Sequence, residues 1–168
     1  DPARRRWAVP AYARLLFRLS AAAGGAFATA DRGAVACGLP PGSEWPAVWD
    51  FLRAGVLSAV WRLGPRGGPR FVRLGPAFDA ARARHVGDRP HWYVYLLGVR
   101  PELQGKGLGR AVLRPIFDAA DRDRVPVYLE TATEVNVLIY RRLGFELVGQ
   151  GELPGGIPNW ELLRTPAG

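Results

Sequence analysis

The stretch that most constrains this chain runs from Trp92 to Phe117. An apolar, aromatic segment, Trp92-Tyr93-Val94-Tyr95-Leu96-Leu97, passes through Gly98 and Val99 into the loop Gln104-Gly105-Lys106-Gly107-Leu108-Gly109-Arg110. The helix-like Ala111-Val112-Leu113-Arg114-Pro115-Ile116-Phe117 follows. A strand that opens through glycines into a helix presents bare backbone N–H groups, and the helix N-terminus adds its dipole at the same point. Glycines at alternate positions let a diphosphate approach the backbone without meeting a side chain.

Two commoner phosphate loops fail on this string. A Walker loop needs Ser or Thr after Gly-Lys and a further glycine five residues upstream, where Gly107 and Arg100 stand. A dinucleotide fingerprint starting at Gly105 and Gly107 needs glycine where Arg110 stands. Gln104, Gly107 and Gly109 instead match the pattern Gln/Arg-x-x-Gly-x-Gly/Ala position for position. Beyond the loop, Val125-Pro126-Val127-Tyr128-Leu129-Glu130-Thr131 reads as a second strand. Asn136-Val137-Leu138-Ile139-Tyr140-Arg141-Arg142-Leu143-Gly144-Phe145 reads as a helix running into a third. In this order and spacing, residues 91–164 resemble the GNAT superfamily of N-acetyltransferases, and within it the puromycin N-acetyltransferase-like group.

That resemblance implies an α/β fold with a mixed central sheet, helices on both faces and two neighbouring strands that splay to admit acetyl-CoA. It implies one domain, with residues 1–90 as the acceptor-side half and 91–168 as the acetyl-CoA-binding half. The superfamily's opening strand and helix would lie before Asp1. It further implies an acetyl-CoA-dependent transfer to a primary amine of a small molecule by direct attack in a ternary complex. A protein or peptide acetyltransferase and a non-catalytic acyl-CoA-binding regulatory domain are the alternatives, and the resemblance leaves room for a homodimer.

N-acetyl transfer needs a grip on the coenzyme, polarisation of the acetyl carbonyl, a neutral amine and a proton for the leaving thiolate. Gln104, Gly105, Lys106, Gly107, Leu108, Gly109 and Arg110 would supply the grip, with Lys106 or Arg110 adding charge toward phosphates. By resemblance, backbone groups of Leu97, Gly98 and Val99 would polarise the carbonyl, with Gly98 permitting a local irregularity in the strand. Tyr140 lies four residues after Asn136, so the two share a helix face. The resemblance makes Tyr140 the acid for the thiolate, although spacing alone reads it as a core residue. Asn136 either contacts the coenzyme arm or caps the helix. Glu130 ends the second strand beside the expected split. It is either the base for the amine or a structural partner of a backbone N–H or an arginine, with His91 as a lesser candidate base.

Composition narrows the remainder. One cysteine, Cys37, excludes an internal disulfide, and with His85 and His91 as the only imidazoles no metal-ligand spacing appears. Cys37 reads as a small buried hydrophobe in a strand, not an acyl carrier. No apolar run approaches a membrane span and no basic-then-apolar leader is present, so a cytoplasmic location is expected. The net charge of +8 lies in residues 1–90, where 14 arginines face six acids. Arginines interleaved with apolar residues read as solvated helix faces, not a nucleic-acid surface. A positive half would also repel polycationic acceptors, while its many Trp and Phe suit an amphipathic, singly charged amine.

Coarse periodicity predicts a helix over 4–23 with Pro10 in its first turn, and a hairpin of 26–30 with 34–37. Further helices are predicted over 45–63, 71–84, 108–123 and 134–142, with strands at 125–131, 145–151 and 158–164. Among the aromatics, Trp45, Trp49, Trp61, Phe71 and Trp92 read mostly as core.

Overall fold

The computed structural model describes residues 2–43 and 73–167, so the predicted helix over 45–63 and the aromatics Trp45, Trp49, Trp61 and Phe71 lie outside the described residues. Helix α1 spans Pro2–Ala22, β1 Ala26–Ala28 and β2 Ala34–Leu39. Helix α2 covers 73–86. Then come β3 Trp92–Val99, a 3-10 turn at Pro101–Leu103 and α3 Leu108–Arg122. Strand β4 Val127–Thr131, α4 Glu134–Arg142, β5 Glu146–Leu153 and β6 Ile157–Arg164 complete the order. Pro10 corrects one expectation: it stands inside α1, with its ring exposed, and not in the first turn. A solvent-facing proline costs a helix one backbone hydrogen bond without clashing with packed neighbours.

The strands form one sheet in the order β1-β2-β3-β4-β6-β5. Among the described residues only β3 and β4 run parallel, and every other neighbouring pair is antiparallel. This is the expected mixed sheet. The turn joining β1 to β2 is built by Thr29, whose Oγ1 accepts the N–H groups of Gly33 and Ala34 at 3.0 Å each.

Helices cover both faces. Helix α3 buries Val112, Leu113, Ile116, Phe117 and Ala120, a stripe at helical spacing. These pack with Val94, Val127, Leu129, Val137, Phe145 and Leu162 into the larger core. On the other face Leu39, Val86, Tyr93 and Tyr128 form a smaller cluster, and α1 lies against β2. Strand alternation divides the two: Val127 and Leu129 go one way, Tyr128 the other.

The β3–β4 ladder is short. Trp92, Tyr93 and Val94 pair with Val127, Tyr128 and Leu129, and the pairing stops there although β3 continues to Val99. The strands therefore part just where Glu130 begins. The local irregularity that releases β3 is not at Gly98, which pairs regularly with Val35. Instead Gly38 pairs with Val94 and Cys37 with Leu96, leaving Tyr95 as an extra residue on β3. Gly38 makes this possible, because a Cβ there would come within 2.9 Å of the Tyr93 carbonyl oxygen. Ser20 secures it, donating from Oγ to the Gly38 carbonyl at 2.8 Å and accepting the Gly38 N–H at 3.0 Å.

Candidate active site

The parted strands and the glycine loop share one end of the sheet. A cleft of about 550 Å³ opens there, lined among others by Leu97, Val99, Gln104, Gly105, Gly107, Leu108, Gly109 and Arg110 from β3, the loop and α3. Helix α4 adds Asn136, Ile139, Tyr140 and Arg142. Gly98 and Lys106 are not in this lining: Gly98 faces Val35, and Lys106 is exposed on the loop.

The loop's conformation explains its glycines. Gly105 and Gly107 have φ of +75° and +79°, the left-handed region that costs a side-chain-bearing residue about 1–3 kcal/mol. A Cβ on either would meet nothing within 4 Å, so the requirement is backbone conformation and open space toward the cleft, not internal packing. Gly109 differs. A Cβ there would make ordinary contacts with Leu97 and Val99 at 3.9 and 4.0 Å, which suits a position where the family pattern admits alanine. Gly107 is the N-cap of α3 and no side chain caps the helix, so first-turn N–H groups remain unclaimed beside the cleft.

Two side chains of the loop hold the cleft together. Gln104 donates from Nε2 to the Val99 carbonyl at 3.2 Å, closing the 3-10 turn back onto β3. Arg110 donates to the Arg142 carbonyl at 2.7 Å, satisfying a terminal carbonyl of α4 and tying it to the start of α3. Asn136 donates from Nδ2 to Thr131 Oγ1 at 3.0 Å, anchoring α4 to the end of β4.

Tyr140 is half-buried in the cleft wall, edge-on to Phe145 at 5.7 Å between ring centroids. Burial alone pushes its phenol up to about 12, which keeps the proton on oxygen at neutral pH. Asn136 and Tyr140 thus share one face, as their spacing predicts, and that face lines the cleft.

Glu130 is the first β4 residue beyond the last β3 pair, and it points to the opposite face of the sheet. Tyr93 donates to its Oε2 at 2.8 Å and Tyr128 to its Oε1 at 3.0 Å. Burial raises its carboxyl to about 7, against the lowering effect of the two phenols and of Arg82. The ionisation of this carboxylate therefore falls close to neutrality. His91 shares a pocket with Tyr93 and Arg82; its Nδ1 meets the Arg89 carbonyl at 2.7 Å, and burial lowers its proton affinity. A second imidazole, His85, has its Nε2 2.5 Å from Glu161 Oε2 and its ring stacked on Tyr128. His85 escapes a local reading of the sequence because its partner lies on the last strand.

Cys37 is fully buried and its thiol is pushed up to about 11 by burial, so it is unsuited to acyl transfer. Among the described residues, no group of three or more His, Cys, Asp or Glu is placed to hold a metal ion, and no helix is long and apolar enough to cross a membrane.

Comparison with known proteins agrees with this geometry. Residues 70–147 match the model of the acetyltransferase (GNAT) domain. The uncharacterized N-acetyltransferase C550.08 of Schizosaccharomyces pombe is 30% identical over 118 residues, covering 68% of this chain and 48% of that protein. Mycothiol acetyltransferase of Salinispora arenicola is 41% identical over 99 residues, covering 56% of this chain and 30% of that protein. The chain thus spans about half the length of one relative and under a third of the other. A crystal structure of the histone acetyltransferase HPA2 and related acetyltransferase from Corynebacterium glutamicum superposes over 100% of this chain and 84% of its own, with a TM-score of 0.56 at 19% identity, a likeness of fold. Residues 70–147, which hold the glycine loop and the parted parallel strands, are thus similar to the acetyltransferase (GNAT) domain.

Proposed function

We propose that the protein is an acetyl-CoA-dependent N-acetyltransferase acting on the primary amine of a small molecule by direct attack in a ternary complex. One observation carries the reading. The cleft with Tyr140 and the carboxylate of Glu130 lie on opposite faces of the same parting between β3 and β4. A donor held in the cleft and an amine arriving from the Glu130 side would meet through that gap. Residues 91–168 are then the coenzyme half and residues 1–90 the acceptor-side half of one domain.

The residues fit the coenzyme. Gly105, Gly107 and Gly109 with the uncapped start of α3 offer N–H groups to a diphosphate, and Gln104, Leu108 and Arg110 shape the rim. Asn136 lies in the wall for the pantetheine arm, beside the β3 edge at Leu97, Gly98 and Val99, which makes no ladder bond to β4. Lys106 is placed to act on phosphates only from outside the cleft. The coenzyme brings the acetyl thioester. Glu130 takes the proton that the amine sheds as its nitrogen bonds to the acetyl carbon, and Tyr140 gives its phenolic proton to the sulfur as the C–S bond breaks. A carboxyl near 7 suits the first task, and a phenol that stays protonated suits the second.

The acceptor is a singly charged, amphipathic amine, a reading supported by the positive charge of residues 1–90. An amine panel followed by release of free coenzyme A tests it. Fastest turnover is expected with aminonucleoside-like or amino-acid-like amines. Preference for spermidine, an aminoglycoside or a lysine-rich peptide overturns the acceptor class. Calorimetric binding of acetyl-CoA with no thiol release from any amine overturns the enzyme reading in favour of a binding domain.

A further inference from the structure

Behind Glu130 lies a second carboxylate that the transfer reaction does not use. Glu161 on β6 is the direct register partner of Glu130 on β4, so the two side chains stand on the same face of neighbouring strands. Opposed residues of an antiparallel pair have Cβ atoms about 5 Å apart, and like charges there repel. Glu161 is 2% exposed, yet it is fully engaged. Arg84 donates to its Oε1 at 2.6 Å, Asn159 to the same oxygen at 3.2 Å, and His85 Nε2 lies 2.5 Å from its Oε2. Strand β5 makes room for this cluster. Gly149 sits beside the extra residue Val148, and a Cβ on Gly149 would overlap Glu161 Oε2 and crowd His85 Nε2. An exposed arginine, a histidine, an asparagine and a side-chain-free strand position thus converge on one buried carboxylate.

Resting on the reading of Glu130 as the base, we infer that Glu161 is a positioning residue for the reaction: its charge, metered by Arg84 and His85, sets how readily Glu130 takes the amine proton. Among the described residues, the groups that act on Glu130 can be assigned. Tyr93 from β3 and Tyr128 from β4 donate to it. Arg82 from α2 attracts its charge, and Glu161 from β6 repels it. Arg84 and His85 act on it through Glu161. Of these, Glu161 alone favours the protonated form by charge, and Arg84 is exposed, with 59% of its side chain accessible.

The test is the titration midpoint of Glu130, read by carboxyl-carbon NMR on the 13C-glutamate-labelled protein, with Glu130→Gln identifying the resonance. The acid limb of kcat/KM is measured in parallel. Glu161→Gln removes the repulsion and is expected to move both midpoints down by about 1 pH unit. Arg84→Gln leaves Glu161 less compensated and is expected to move both up by a smaller amount, since its charge is partly screened. The opposite signs are a readout that a merely structural cluster would not produce. Arg84→Gln alters an exposed side chain, so it decides the matter even if Glu161→Gln does not fold. An NMR midpoint unmoved in Arg84→Gln, and in Glu161→Gln where that variant folds, overturns the inference while leaving Glu130 as the base. Midpoints that move by NMR without a matching move of the kcat/KM limb overturn Glu130 as the base, and with it the catalytic meaning of Glu161.

Discussion

The two faces of the central sheet use the same strands in opposite ways. Toward α3 and α4, β3 and β4 send Val94, Val127 and Leu129 into an apolar core, and the polar equipment of that side is mostly backbone: unclaimed N–H groups at the glycine loop and the start of α3. Toward α2, the same strands send Tyr93, Tyr128 and Glu130, joined by side-chain hydrogen bonds, beside a second hydrogen-bonded set of Glu161, His85 and Arg84. Backbone groups recognise a ligand by shape and generic charge, and substitution can reach them only through conformation. Side-chain groups carry tunable proton affinities, and single atoms decide them. The first face suits a co-substrate common to a family, the second the particular proton transfers of one enzyme.

The sharpest way to break this contrast is Glu130→Gln. It keeps the shape and removes the proton acceptor, so kcat/KM is expected to fall by about 10²–10⁴ with coenzyme affinity unchanged. The same variant gives a stability signature of the other sign. A carboxyl raised to about 7 from 4.5 favours the folded state fully below 4.5, and that contribution is lost as pH rises through 7. Thermal melts at pH 8 should therefore show Glu130→Gln to be more stable than the parent, by on the order of 1–3 kcal/mol, with the gap closing toward pH 4. A variant less stable at pH 8 would mean that the two tyrosine hydrogen bonds outweigh the burial.

Next in size, Tyr140→Phe keeps the packing on Phe145 and removes one oxygen. A fall in kcat of about 10²-fold is expected, with calorimetric affinity for acetyl-CoA within about twofold of the parent. Unchanged turnover would make Tyr140 part of the wall and leave water as the acid. The smallest effect belongs to the backbone face. Gly107→Val forces a β-branched residue to φ of +79° and sets a side chain in open cleft space, which should weaken acetyl-CoA binding by about 10–100-fold. Unaltered affinity would remove the loop from the coenzyme site and the contrast with it.

The two faces also differ in how readily their sequence could be read. Helices α3 and α4 begin at Leu108 and Glu134 as periodicity predicts, and α4 ends at Arg142 as predicted, because glycines and a strong apolar stripe mark them locally. The cleft follows from the same local signals: residues 104–110, Lys106 apart, line it together with Asn136 and Tyr140. The Glu130 side was much less legible. Its partner Glu161 comes from the final strand, which the sheet order inserts between β4 and β5, and no local periodicity reports a non-consecutive neighbour. His91 drew notice by lying next to the strand, whereas His85, on the preceding helix, is the imidazole that reaches the cluster. The signal that was present is an acid at Glu161 between Trp160 and Leu162, with a glycine at Gly149 on the strand that pairs with it. The irregularity expected at Gly98 falls elsewhere for a related reason: the tight approach is at Gly38 on the partner strand.

The three paired residues between β3 and β4 have a mechanical meaning. Strands β1, β2 and β3 form one plate and β4, β6 and β5 another, each laddered within, and the sheet is continuous only along a seam three residues long. A wedge entering at the free end works against that short weld with the leverage of the β3 segment from Tyr95 to Val99, which has no partner on β4. Ser20, on the neighbouring helix, acts as the rivet that keeps one plate from shearing at Gly38. The gap is thus the open end of a hinge already cut into the sheet, and a longer weld would close it.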